Sequence, residues 1–177
     1  YRYWSFWKSS GSGWTYQQSG PATYVPPDGG VDGWRFAVSP DGGQNATKPT
    51  AAGDFGTICG TTPAQPGRKR VAVVLDFGTP TDAPSGETPL AARSTCAVVP
   101  TTAGSGDVLA AVAPPLRYDT NGMLCAIAGF PRTGCGDIIS ATRPTPSGPG
   151  PTLGIAAGAA LIALLATAAL WQSRRRR

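Results

Sequence analysis

The sequence predicts a mainly β fold, a disulfide-bonded sandwich or small barrel outside the cell, followed by a Pro-rich stalk and one C-terminal transmembrane helix. Three observations predict it. The chain of 177 residues holds 24 Gly and 18 Pro, a composition that favours short strands and many turns over long helices. Four cysteines stand with no histidine, the pattern of a disulfide framework in an oxidising compartment. A final apolar run ends in four adjacent arginines. The length and the 41% apolar content are those of one domain.

The first element is the stretch Tyr1-Arg2-Tyr3-Trp4-Ser5-Phe6-Trp7-Lys8. As a strand it turns Tyr1, Tyr3 and Trp7 to one side, and Trp4 and Phe6 with Arg2 and Lys8 to the other. Aromatic rings on both faces argue for a paired strand of the domain rather than a half-exposed edge. Ten of the fifteen aromatic residues lie within the first 36 positions. Those not needed for the core are candidates to line a groove for a planar, apolar or glycan ligand, or for a protein partner, because Trp, Tyr and Arg are the usual anchoring types. The contact set expected from this is Trp4, Trp7, Trp14, Tyr16, Trp34 and Arg35.

Gly33 to Ser39 alternates Trp34, Phe36 and Val38 with Arg35, Ala37 and Ser39, the period-two pattern of a half-buried strand. It is bracketed by one tetrapeptide used twice, Pro27-Asp28-Gly29-Gly30 and Pro40-Asp41-Gly42-Gly43, and each copy has turn chemistry. Arg70 to Phe77 is nearly continuous in β-branched residues, as a central strand covered on both faces should be. Asp107 to Ala113 reads as two helical turns starting at an Asp N-cap and stopped by Pro114-Pro115. Leu116 to Ile127 reads as a hairpin around Asn121-Gly122.

Four cysteines allow three pairings. Cys125 and Cys135 flank a short loop rich in turn residues, and pairing them leaves Cys59 with Cys96. A four-thiolate zinc site needs closely spaced knuckles, whereas 36, 28 and 9 residues intervene here. No metal and no cofactor is expected.

The domain is expected over 1–139, the stalk over 140–151, the transmembrane helix over 152–171 and a polybasic cytoplasmic tail over 172–177. Residues 152–171 are uncharged, and about twenty residues at 1.5 Å rise cross a hydrocarbon core of roughly 30 Å. Trp171 falls at the interface, and clustered Arg stays on the cytoplasmic side. The N-terminal domain is then extracellular, delivered by a cleaved signal peptide with Tyr1 as the first mature residue. Gly154 and Gly158 form one G-x-x-x-G, a spacing that arises readily in an Ala/Gly-rich span. The prolines of the stalk favour an extended spacer.

Arg174 to Arg177 supply four of the 15 basic residues, leaving 11 against 10 acidic ones. The basic balance is therefore a property of the tail, which argues against nucleic-acid binding by the domain. Lack of histidine removes the Ser-His-Asp triad, the Cys-His dyad and His metal sites. Asp-Phe-Gly-Thr occurs at 54–57 and 76–79 and matches the kinase magnesium motif in letters, but no other kinase signature is present; both copies read as turns. Asn45-Ala46-Thr47 fits a glycosylation sequon, a pattern common by chance. Asp76 lies in an apolar strand where burial should raise its pKa, so an enzyme would pair it with a second carboxylate as in glycosidases. The favoured reading of Asp76 is a strand-end turn, and the chain is not expected to be an enzyme.

The segments "YRYWSFW", "GSGWTY", "GPAT", "DGWRFAVS", "FGTIC", "KRVAVVLDFG" and "CAIAGFPRTGC", with the anchor and polybasic end, cover most of the chain. In them it resembles uncharacterised actinobacterial secreted proteins with a C-terminal membrane anchor, encoded near energy-coupling-factor (ECF) transporter components. The resemblance implies an accessory role in nutrient uptake and brings no functional residues with it. The expected function is therefore a membrane-anchored binding or accessory protein. The alternatives are a structural envelope protein without a small-molecule site and, last, a carbohydrate-active enzyme.

Overall fold

The computed structural model describes residues 1–11, 13–43 and 45–139. The stalk, the transmembrane helix and the tail expected over 140–177 lie outside the described residues. Among the described residues no helix is long and apolar enough to cross a membrane.

Strands β1 (Arg2–Ser9), β2 (Trp14–Gln17), β3 (Gly30–Val38), β4 (Arg68–Asp76) and β5 (Arg93–Pro100) form one sheet in the order β2-β1-β3-β4-β5. β3 and β4 run parallel, and the other neighbours are antiparallel. Strands β6 (Arg117–Tyr118) and β7 (Leu124–Ala126) make the Asn-Gly hairpin. Two short α-helices, α1 (Phe55–Cys59) and α2 (Ser105–Val112), and a 3-10 turn at Pro21–Thr23 complete the described fold.

The mainly β class therefore holds, but the architecture is neither a closed barrel nor a sandwich of two large sheets. The sheet is open, with β2 and β5 at its ends. The parallel β3–β4 pair is the reason. Parallel neighbours need a long crossover, and residues 39–67 supply it, with α1 inside it.

Alternation sorts the strands into two faces. Trp4 and Phe6 of β1, Trp34 and Phe36 of β3, Val71, Val73 and Leu75 of β4, and Ala97 and Val99 of β5 share one core. It is closed by Val108 and Leu109 of α2 and by Leu124, Ile127 and Phe130 of the C-terminal segment. On the opposite face Val31 and Ala72 pack with Cys59, Cys96, Trp14, Phe55 and Ile58. β4, covered on both sides, is the central strand its composition predicts, with Val71, Val73 and Leu75 at 0% exposure.

The pairing Cys59–Cys96 pins α1 to β5, and Cys125–Cys135 closes the loop after β7. The two helices correct two readings. The Asp54 copy of Asp-Phe-Gly-Thr is a helix N-cap rather than a turn, its carboxylate accepting the Thr57 N–H at 2.6 Å. Asp107 is not the N-cap of α2. That position is Gly104, and Asp107 sits three residues on, accepting the Gly104 N–H at 2.9 Å. A carboxylate in the first turn suits the helix dipole from either position, which is why the sequence did not separate them.

Candidate functional site

β1 presents its main chain in alternation. The Tyr1 nitrogen donates to the Ser39 carbonyl at 2.6 Å, and the Ser39 N–H donates back to the Tyr1 carbonyl at 2.7 Å. Odd residues of β1 thus face β3, and even residues face outward. On the outer side the Arg2 N–H donates to the Asp137 carbonyl at 2.8 Å. Further along, β2 begins its pairing only at Phe6, opposite Gln17. Trp4 lies between, and among the described residues no strand pairs with its outward N–H and C=O.

A cavity of about 440 Å³ opens at this gap, lined by Tyr1, Tyr3, Trp4, Asp41, Met123 and Leu124 among others. A second hollow of about 250 Å³ continues along the same edge, where Tyr16, Gln17, Gln18 and Ser19 join Tyr3 and Trp4. Tyr1 and Met123 are exposed at the rim, at 44% and 45%. The Tyr3 hydroxyl is buried without a hydrogen-bond partner among the described residues. Burial, with the nearby Tyr16 phenol adding to it, pushes Tyr3 up to about 12, so it stays a neutral donor. Asp41 is held below the ordinary carboxylate range, chiefly by the Asn45 N–H, and brings a negative charge to the rim.

The expected contact set divides. Trp4, Trp7 and Trp34 are 7%, 6% and 1% exposed, and Arg35 is 5% exposed. Trp34 stacks on Phe6 with centroids 4.6 Å apart, and Trp7 meets Tyr16 edge-on at 5.3 Å. Trp7 Nε1 donates to Ser5 Oγ, and Trp4 Nε1 to the Phe130 carbonyl. These three rings build the domain, and Trp4 alone of them also lines the 440 Å³ cavity. Trp14 is half-buried on the other face, its ring against Gly33 and Gly53 and its Nε1 donating to the Ala51 carbonyl at 3.0 Å. Tyr16, half-buried, lines the second hollow. The rim residues Tyr1, Tyr3 and Met123 escaped the contact set because sequence alternation shows which way a ring points, not where a neighbouring strand stops.

Residues 1–140 match the SCO2322-like domain over the same stretch that forms the compact unit Tyr1–Ile139. The chain belongs to the SCO2322-like domain family. No curated protein and no solved structure matches it.

Two buried ionic clusters lie elsewhere in this SCO2322-like domain. In the first, Arg35 Nη1 donates to Asp76 Oδ1 and Nη2 lies 3.4 Å from Asp82 Oδ2. Asp76 Oδ2 accepts the Thr50 hydroxyl at 2.7 Å and the Thr50 N–H at 2.9 Å. The Gly78 N–H donates to Asp76 Oδ1 at 3.1 Å. Burial alone pushes the Asp76 carboxyl up, as the sequence suggested, but the Thr50 and Gly78 donors and the Arg35 charge outweigh it and the pKa falls. The expected direction is thus reversed, because hydrogen bonding to the ionised form decides. Asp76 is an ionised anchor, not a raised-pKa acid.

The second cluster was not legible in the sequence. Asp32 of β3 is 1% exposed, with Oδ2 accepting the Ser105 hydroxyl at 2.5 Å and Oδ1 without a partner. Burial pushes its carboxyl up to about 6, against the Ser105 hydrogen bond and the charges of Lys8 and Lys69. Lys69, itself 3% exposed, spends its ammonium on the Pro26 and Ala103 carbonyls at 2.7 and 2.6 Å. The cluster ties α2 to the sheet. Among the described residues no group of His, Cys, Asp and Glu is arranged to hold a metal ion.

Proposed function

We propose that the chain is a cell-surface, single-span binding or accessory protein, with its N-terminal domain extracellular, its C-terminus cytoplasmic and an ECF-type nutrient transporter component as its partner. The observation that carries the binding role is the cavity of about 440 Å³ beside Trp4, edged by exposed Tyr1 and Met123 in a domain braced by two disulfides. Ligand sites are concave and mostly apolar with a few convergent polar groups, and this notch has that make-up. The uncharged run 152–171 and Arg174 to Arg177 support the anchor and its orientation. The resemblance, over most of the chain, to anchored secreted proteins encoded near such components supports the transporter as partner. A purely structural envelope role needs no such cavity, so the notch favours binding. Catalysis is not part of the proposal, since Asp76 is engaged by Arg35 and Thr50.

Purifying the tagged full chain from membranes in mild detergent tests the proposal. The expected result is co-purification of a transporter membrane component that is lost in Met123→Arg, a change at an exposed rim position. Recovery of the chain without any transporter component would refute the partner.

A further inference from the structure

The gap in the outer edge of β1 has a definite hydrogen-bonding character. Among the described residues the ladder is open for one outward-facing residue, between Arg2, bonded to Asp137, and Phe6, paired with Gln17. Four residues of strand span roughly 14 Å at about 3.4 Å each. That is too short for another full strand to add to the edge, because Asp137 and Gln17 occupy its two ends. It is long enough for one amide group. What Trp4 offers there is one N–H donor and one C=O acceptor on the same side of the strand, the pair that a neighbouring strand residue would satisfy.

We infer that the notch binds a small ligand carrying one secondary amide, whose C=O accepts from the Trp4 N–H and whose N–H donates to the Trp4 C=O. This rests on reading the notch as the binding site, and it names the class of ligand. The surroundings agree with it. Tyr1, Tyr3, Met123 and Leu124 give apolar and aromatic surface for the groups flanking the amide. The polar side chains of Gln17, Gln18 and Ser19 offer neutral hydrogen bonds along the same edge. Among the side chains that line the two hollows the one formal charge is Asp41, and its carboxylate already accepts from Ser39, Gly43 and Asn45. A neutral ligand therefore fits better than an ion. An acylated amino sugar and an acylated aromatic amine share this chemistry, and the cavity of about 440 Å³ has room for either.

The test follows the Trp4 amide resonance by NMR in the isotope-labelled full chain in detergent, titrated with matched neutral pairs. N-benzylacetamide is compared with benzyl acetate, and N-acetylglucosamine with glucose. In the ester the carbonyl acceptor remains and the N–H donor is gone. The expected result is a displaced Trp4 amide resonance with at least one amide compound, bound about tenfold or more tightly than its amide-free partner, as the loss of the hydrogen bond to the Trp4 carbonyl implies. Whichever pair shows the larger ratio identifies the aromatic or the sugar source. Equal affinity within both pairs, or no displacement at Trp4 with either amide, would overturn the inference. Neither outcome depends on transporter co-purification, so the two proposals fail separately.

Discussion

Arg35 and Asp76 are register partners across the parallel β3–β4 pair, and their side chains meet on the sheet face away from the main core. The pair holds the end of β4 to the crossover through Thr50 and to the following loop through Gly78 and Asp82.

Removing one member of this pair strands the other charge in the interior. Asp76→Asn and Arg35→Leu should each cost about 3–5 kcal/mol in urea unfolding, while the double variant should cost less than the sum of the two. Because the Asp76 pKa is lowered in the native state, its contribution is complete above the ordinary carboxylate value and is lost as pH falls through the native one. An acid titration of stability should therefore be flatter in Asp76→Asn than in the parent chain.

Asp32 has the opposite sign. Its carboxyl is raised from 3.8 to about 6 by burial, so the native state holds the proton more tightly than the unfolded chain. Stability from this group is complete below the unfolded value and is lost as pH rises through the native value, by an amount on the order of 3 kcal/mol. Asp32→Asn should gain on the parent chain between about pH 4 and pH 7 and keep a constant advantage above that. A constant difference across the whole range would show that ionisation is not involved.

Much of this framework was legible and some was not, for local reasons. β3 and β4 announce themselves by alternation and by a β-branched run, and the Asn121-Gly122 hairpin by its turn chemistry. β3 is, however, buried on both faces rather than half-buried, because Arg35 and Ala37 lie under the crossover side at 5% exposure each. β5 was missed because Arg93, Ser94 and Thr95 make its first half polar, as an end strand of the sheet allows. α1 hid inside Asp-Phe-Gly-Thr, because Asp caps helices and makes turns with the same hydrogen bonds. The parallel register of β3 on β4 depends on a crossover of some thirty residues, which no local pattern encodes. The paired aromatic faces of β1 were readable from alternation. The notch was not, since it exists only where two separate segments, at Gln17 and Asp137, stop short of each other.

The disulfides should report on different parts of the fold. Peptide mapping without reduction should recover Cys59 joined to Cys96 and Cys125 joined to Cys135. Their sequence separations of 37 and 10 correspond to about 4 and 3 kcal/mol in the chain-entropy description. Cys59→Ser with Cys96→Ser should therefore lower stability more than the Cys125–Cys135 double variant. The reverse order would mean that the short loop matters through contacts rather than chain entropy.

Trp14 is placed by two glycines. A Cβ at Gly33 or Gly53 would run into its ring, so Gly33→Ala should destabilise by about 1–3 kcal/mol and shift the Trp14 emission. Trp14→Ala combined with Gly33→Ala should recover part of the Gly33→Ala loss, as expected of directly packed neighbours.

The central claim is that the rim of the notch is where this protein meets its partner. A photoreactive amino acid placed at Met123, exposed at that rim, is compared with one at Leu90, exposed but outside the notch lining. After illumination of intact membranes, the account predicts an adduct with an integral transporter component from position 123 and none from position 90. Equal labelling from both positions, or no transporter adduct from position 123, would contradict it.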